Sequence, residues 1–223
     1  LVHADQQRRH WRGLIAQEVL SDPLMLAAVQ LCGVRDLTAF ALVAIIGDIK
    51  RFARPGSLVK YLGLNPAFDD SGQEKWTGGI GGHGRKDLRC LLIEGAQAIP
   101  RCARIPRAQW GRKLLARKGQ KNLVVAAMAR KLAVALWYLL RGLWTPLEQI
   151  DLSVEIKIGK IITQVAPAKE LAAKVGKSRS AYYQEIAQRL QAGRVYILDP
   201  HKKFTPKPAP SMPSTLAQEY GLV

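Results

Sequence analysis

The stretch LCGVRDLTAFALVAIIGD (31–48) decides the fold class. Gly33 allows a tight turn, and the strongly apolar run that follows has helical character and stops at Gly47. A helix ending near Leu31, a turn and a new helix make a helix-hairpin-helix, so the chain is expected to be mainly α. In such hairpins the turn amides, at a helix N-terminus, hold a phosphate without reading bases. The usual hairpin has a second glycine two places after the first, and here that place is Arg35, whose cation can substitute for backbone approach. The alternative is a hairpin that only packs, with Asp36 capping the second helix.

Working outward, residues 4–20 are expected to form a helix with Trp11, Leu14, Ile15 and Val19 along its inner face. It is the end of a longer helix or a coiled-coil remnant. Ser21-Asp22-Pro23 supplies a stop and a new start, with Pro in the tolerated first turn, and a second helix runs to about Leu31. Downstream, FARPGSLVKYLGL (52–64) reads as a turn at Pro55-Gly56, an N-cap at Ser57 and a short helix with Leu58, Tyr61 and Leu62 inward. Pro66 ends helical geometry.

The stretch NPAFDDSGQEKWTGGIGGHGRKDLR (65–89) is the expected working part. Ser71 follows Asp69 and Asp70 and precedes Gly72, so its hydroxyl can protrude from a turn. Gly78, Gly79, Gly81, Gly82 and Gly84 form a glycine-rich loop whose amides suit a phosphate, with Lys75 before it, His83 within it, and Arg85, Lys86 and Arg89 entering a helix over 86–99. A phosphodiester fits such a surface. The plainer alternative is a mobile loop with Ser71 as a turn residue.

Charge supports the phosphodiester. The 223 residues carry 34 Lys and Arg against 17 Asp and Glu, a formal charge of +17 that points to a polyanion, nucleic acid before an anionic membrane. No acid occurs between Glu94 and Glu148, while Arg101, Arg104, Arg107, Arg112, Lys113, Arg117, Lys118, Lys121, Arg130, Lys131 and Arg141 accumulate. A merely soluble surface intersperses signs, so this run reads as phosphate-tracking. Trp110 within it either stacks on a base or packs into a core.

The apolar segment 123–140 carries Arg130 and Lys131 at its centre and reads as a buried protein helix, so no membrane partner is expected. Cys32, Cys90 and Cys102 form no disulfide or zinc pattern, which points to a reducing, cytoplasmic setting. The opening LVHADQQRRHWRG has no apolar core after its basic residues, so a secretory leader is not expected.

Beyond Pro146 the composition shifts. DLSVEIKIGKIITQV (151–165) has partial period-two alternation and is expected to be a strand pair about Gly159 or a connecting arm. AKELAAKVGKSRSAYYQEIAQRL (168–190) reads as two helices about Gly176. The pattern is that of a helix-turn-helix that would aim Lys177, Arg179 and Tyr183 at DNA. Lys177 and Glu185 stand where apolar residues usually pack, which favours an ordinary helical hairpin instead. Five prolines after Asp199 mark a basic tail expected to be disordered.

The order of LCGVRDLTAFALVAIIGDIKRF, SLVKYLGLNP and DSGQEKWTGGIGGHGRKDLRCLLIEGAQA resembles the C-terminal half of insertion-sequence transposases of the IS-one-ten type, related to the Piv invertases. The resemblance covers roughly Leu24 to Leu147. Arg35 departs from it, as does Gly82-His83, which stands where Lys-Arg is frequent. The resemblance implies DNA recombination by a serine nucleophile, here Ser71. It further implies an N-terminal RuvC-like domain whose four acids bind magnesium, and a structured guide RNA that selects sites. The acids before residue 100 are scattered, so the magnesium half is expected to lie outside this chain, which would be inactive in strand transfer without it. No cofactor is expected in this chain itself.

The expectation is therefore a compact helical domain over 24–148, preceded by a helical linker (1–23) and followed by a small helix-turn-helix-like appendage (149–198) and a tail (199–223). Ser71 is the candidate nucleophile. Gly33, Arg35, Lys75, Gly79, Gly82, His83, Arg85, Lys86, Arg89, Arg112, Lys113, Arg117, Lys118, Lys121, Lys177 and Arg179 are candidate nucleic-acid contacts, and no residue is assigned to a metal. DNA, a guide RNA and further copies of the enzyme are the expected partners. The competing readings are a non-catalytic nucleic-acid-binding protein and a basic structural protein of ribosomal character.

Overall fold

The computed structural model describes residues 2–71, 74–81, 83–101, 106–142 and 154–192, with the backbone alone along 67–79. It is mainly helical. The helices are α1 (Val2–Ser21), α2 (Pro23–Val29), α3 (Asp36–Ile46), α4 (Pro55–Tyr61), α5 (Lys86–Ala98), α6 (Pro106–Lys118), α7 (Lys121–Leu140), α8 (Val154–Val165), α9 (Ala168–Val175) and α10 (Arg179–Ala192). Between α4 and α5 stands an antiparallel ribbon of β1 (Pro66–Ser71) and β2 (Glu74–Ile80).

Helix α7 is the axis of the domain and packs against α2, α4, α5 and α6. Its Ala, Leu and Met content favours helix. Val124, Met128, Leu132, Ala135, Leu136 and Leu139 are among its buried residues, and Trp137 reaches across to donate from Nε1 to the Phe52 carbonyl at 2.9 Å. By length and composition this helix could cross a membrane, but most of it is covered by the protein's own helices. Burial of that apolar surface is the main stabilising force, at about 25 cal/mol per Å².

The helix ends follow local chemistry. Asp22 caps α2 by accepting from the Met25 amide at 2.8 Å, with Pro23 in the first position. At α3, Arg35 occupies the cap with no side-chain bond, and Asp36 is the first helical residue, 8% exposed, so it is not the cap. Pro55 likewise opens α4 from an Arg54 cap, which puts Ser57 inside the helix and replaces the expected turn at Pro55-Gly56. Proline at a first helical position needs no amide partner, so it starts a helix as readily as it makes a turn.

Three further expectations are corrected. Trp11 and Leu14 are 60% and 41% exposed, while Gly13, Ala16, Val19 and Leu20 face inward on α1. A Cβ at Gly13 would lie 3.2 Å from the Gln164 carbonyl, so this seam selects small residues because α8 comes close. Residues 154–165 form a helix, not a strand pair. Val154, Ile158, Ile161, Ile162 and Val165 are buried at helical spacing, and Ile156, which created the alternation, is 61% exposed. Finally, Gly78 and Gly79 belong to strand β2 and not to a loop.

Helices α8 to α10 share one apolar core with the rest. Two cations fasten them to it: Lys157 Nζ donates to the carbonyls of Val29, Leu31 and Val34 at 3.1, 2.9 and 3.1 Å, and Arg189 donates to those of Leu20 and Ser21 at 2.8 and 2.6 Å. Each satisfies carbonyls that a helix C-terminus leaves open. The expected tail, 199–223, lies outside the described residues.

Candidate nucleic-acid interface

The ribbon is built on a pinch point. Gly63 and Gly84 have φ of +66° and +93°, and their backbones touch: a Cβ at Gly84 would lie 2.6 Å from the Gly63 nitrogen and 2.8 Å from the Tyr61 carbonyl oxygen. Only glycine adopts such angles without strain and leaves room for the crossing. The Arg85 amide adds a bond to the Tyr61 carbonyl at 2.9 Å.

Two arginines hold this base. Arg89, one turn into α5, directs Nη1 at the carbonyls of His83 (2.9 Å), Gly63 (3.3 Å) and Gly81 (3.4 Å), so one guanidinium joins the chain entering the ribbon to the chain leaving it. Arg130, half-buried on α7, donates from Nε to the Leu64 carbonyl at 2.5 Å. Desolvation pushes its pKa down from the usual guanidinium value. Sequence reasoning counted Arg130 as one cation in a basic run. The signal for its role was its place within an apolar helix, since a buried charge must find an acceptor.

From that base the ladder runs through Pro66↔Ile80, Phe68↔Thr77, Asp69↔Trp76 and Asp70↔Lys75 to Ser71↔Glu74, with an irregularity between Pro66 and Phe68. Ser71 thus ends β1 at the far end of the ribbon, roughly 17 Å along the strand from Pro66. Gly72, Gln73 and Gly82 lie outside the described residues. Lys75 and Gly79 sit on β2, Lys75 one register position from the tip.

The remaining candidates fall into groups. Arg85 and Asp87 form a two-point ion pair at 2.6 and 3.0 Å at the start of α5. The hydrogen bond from Arg85 holds the Asp87 carboxyl at about 2, below its ordinary 3.8. Lys86 and His83 are exposed beside this pair. Gly33 meets α5 directly: a Cβ there would stand 2.7 Å from the Gly95 carbonyl oxygen, which gives this glycine a packing reason. Arg35 projects outward, its Nε 3.9 Å from Asp36.

The α6–α7 corner carries a cluster of exposed cations. Lys113, Arg117, Lys118 and Lys121 are exposed. Arg112 donates to the Pro100 carbonyl at 2.8 Å. Trp110 is partly buried against the core and carries Lys131 Nζ 4.8 Å from its ring centroid, so its face is occupied by a cation. On the far helices, Lys177 pairs with Glu185 at 2.6 Å and Arg179 donates to Thr163 Oγ1 at 3.0 Å. Ribbon, corner and α10 are therefore separate groups, and no described contact joins Lys177 or Arg179 to the others. Among the described residues no three His, Cys, Asp or Glu side chains are placed to hold a metal ion.

The model of the IS116/IS110/IS902 transposase family matches residues 28–111. A protein of Pseudomonas aeruginosa PAO1 named "probable family 20 transposase" is 36% identical over 111 residues, covering 48% of this chain and 32% of the relative. The "transposase for insertion sequence element IS1111A" of Coxiella burnetii is 37% identical over 111 residues, covering 48% and 30%. The chain thus spans about a third of the length of these relatives. No solved structure matches it. The family-model match, residues 28–111, contains the turn at Gly33, the whole ribbon and the glycine pinch beneath it.

Proposed function

We propose that this chain is the serine-bearing part of a DNA transposase, in which Ser71 attacks a DNA phosphodiester. The observation that carries the reading is the position of Ser71 at the end of a ribbon fixed at its base by Gly63, Gly84 and Arg89, within the transposase-like stretch. A serine at the end of a two-stranded ribbon is the position in this stretch from which a hydroxyl would meet a DNA backbone.

The chemistry balances simply. Ser71 loses its proton to a base, its oxygen bonds to phosphorus, and the scissile P–O bond breaks, with the leaving deoxyribose oxygen taking up a proton. The phosphoserine keeps the phosphoester bond for religation, which strand exchange requires. Cations near the tip, Lys75 first, would stabilise charge on the phosphorane oxygens. The described residues do not fit a magnesium centre, so the acids for one would come from another domain, and no step here runs through the metal. A guide RNA and assembly with further copies belong to the same proposal for the complete enzyme.

A covalent trap tests it. The chain, a complementing RuvC-like domain, magnesium, guide RNA and a nicked suicide DNA should give a protein–DNA adduct on a denaturing gel, absent with Ser71→Ala. An adduct that persists in Ser71→Ala overturns the assignment. Binding without any adduct supports the non-catalytic reading instead, which the exposed cations of α6 and α7 favour.

A further inference from the structure

We infer that α8, α9 and α10 form a base-reading unit whose outer stripe on α10, Ser180, Ala181, Gln184 and Gln188, enters the major groove of duplex DNA. The connection is that of a helix-turn-helix. Helix α9 closes at Gly176 with φ 72° and ψ 11°, its amide bonded to the Ala172 carbonyl at 2.8 Å. Three residues later α10 begins, with Ser178 Oγ accepting from the Ala181 amide at 3.2 Å. The left-handed glycine turns the chain sharply and the serine caps the second helix, which sets α10 against both α9 and α8. Ile158, Ile161 and Val165 of α8, Leu171 of α9, and Ile186 and Leu190 of α10 are buried.

On the side of α10 away from Ile186 and Leu190, the exposed residues are Ser180, Ala181, Gln184 and Gln188. Their spacing places them on one stripe. The stripe carries no charge in a chain with 34 Lys and Arg, and every member has a partner on a base edge: glutamine pairs two-pronged with adenine, serine bonds to several bases, and alanine touches the thymine methyl. An ordinary solvated face would carry charge at these positions.

The charged groups at its margins are already occupied. Glu185 would repel phosphate, but Lys177 neutralises it at 2.6 Å. The two residues that break the expected apolar pattern therefore satisfy each other, and the hairpin keeps its shape without them entering the core. Arg179 is turned to Thr163 and Arg189 to the end of α1. The exposed Lys160 and Lys169 remain to flank the groove, and residues 154–192 hold seven Lys and Arg against three Glu, complementary to a duplex. Tyr182 and Tyr183 are half-buried, so the stripe offers no open aromatic platform for splayed single-strand bases. Residues 154–192 lie outside the family-model match, and the inference does not depend on Ser71.

Selection from a pool of random-sequence duplex DNA by the full chain tests it, with binding as the readout and no strand transfer involved. One short motif should emerge. Gln184→Ala and Gln188→Ala should each relax a single position of that motif and weaken the selected duplex on the order of tenfold, with scrambled duplex bound as before. Thermal melts equal to the parent's would confirm that both variants fold. A pool that enriches no motif, or variants that bind the selected duplex as the parent does, would overturn the inference.

Discussion

At Gly63 and Gly84 two segments that flank the ribbon cross with no side chain between them. Both have positive φ, and the space a Cβ would need is taken by backbone atoms of the opposite segment, which cannot rotate away as a flexible side chain can. Gly119 has a similar φ of +67° but nothing within 4 Å of its missing Cβ. The pair separates two effects. Gly119→Ala carries the conformational penalty alone, about 1–2 kcal/mol. Gly84→Ala adds backbone displacement, for a total of about 2–4 kcal/mol and a fall in melting temperature of roughly 5–15 °C. Thermal unfolding of the two variants side by side measures the difference. Equal losses would mean that the crossing contributes nothing and that the ribbon is aimed by something else.

Among the elements, α8 matters most for how the C-terminal helices are held. Its Lys157 sits over three carbonyls of the turn between α2 and α3, so an ammonium occupies the inside of the hairpin whose outside was expected to face phosphate. Charged hydrogen bonds of this kind contribute about 1.5–3 kcal/mol. Lys157→Met should therefore destabilise by about 2 kcal/mol in urea unfolding, whereas the exposed Lys160→Met should stay within about 0.5 kcal/mol. The same helix shows why part of the fold was hidden in the sequence. Ile156 is exposed, and its presence between Val154 and Ile158 imitated a strand, although the spacing through Val165 was helical throughout. In α1 the bulky Trp11 and Leu14 drew attention away from the small seam at Gly13 and Ala16, because close helix approach selects for size and not for hydrophobicity. The helices α2, α3 and α7 were legible as apolar runs bounded by Pro or Gly or broken by a central charge, and α5 as an amphipathic one, since a buried helix leaves an apolar stretch and a half-buried one a periodic trace. The ribbon was not. Asp and Gly are poor strand formers, and its one local sign was Ser71-Gly72-Gln73-Glu74, with glycine where a two-residue hairpin turn favours it. Of the ribbon base, Gly84 stood out in the sequence as one of the loop glycines, but the part played by Gly63, Arg89 and Arg130 depends on partners far off in sequence.

For the molecule as a whole, the distribution of charge sets what it can hold. Arg89 and Arg130 at the ribbon base are engaged with carbonyls, and Lys177 and Arg179 with Glu185 and Thr163, whereas the α6–α7 corner offers a cluster of exposed cations to a polyanion. Lys113, Arg117, Lys118 and Lys121 are exposed there, with no carboxylate in the sequence from 95 to 147 to screen them. Each phosphate that such a side chain neutralises releases counterions and contributes about −0.9 to the slope of log affinity against log salt. Replacing all four by Ala should therefore make the slope for duplex DNA shallower by about 3.6 and weaken binding most at low salt. Because the four side chains are solvent-exposed, stability should change by about 0.5 kcal/mol or less per site. Fluorescence anisotropy across a salt series, with the parent and the fourfold variant on the same labelled duplex, reads both numbers. An unchanged slope would show that the polyanion runs elsewhere on the surface, and would move the track from this corner to the side of the molecule that bears α10.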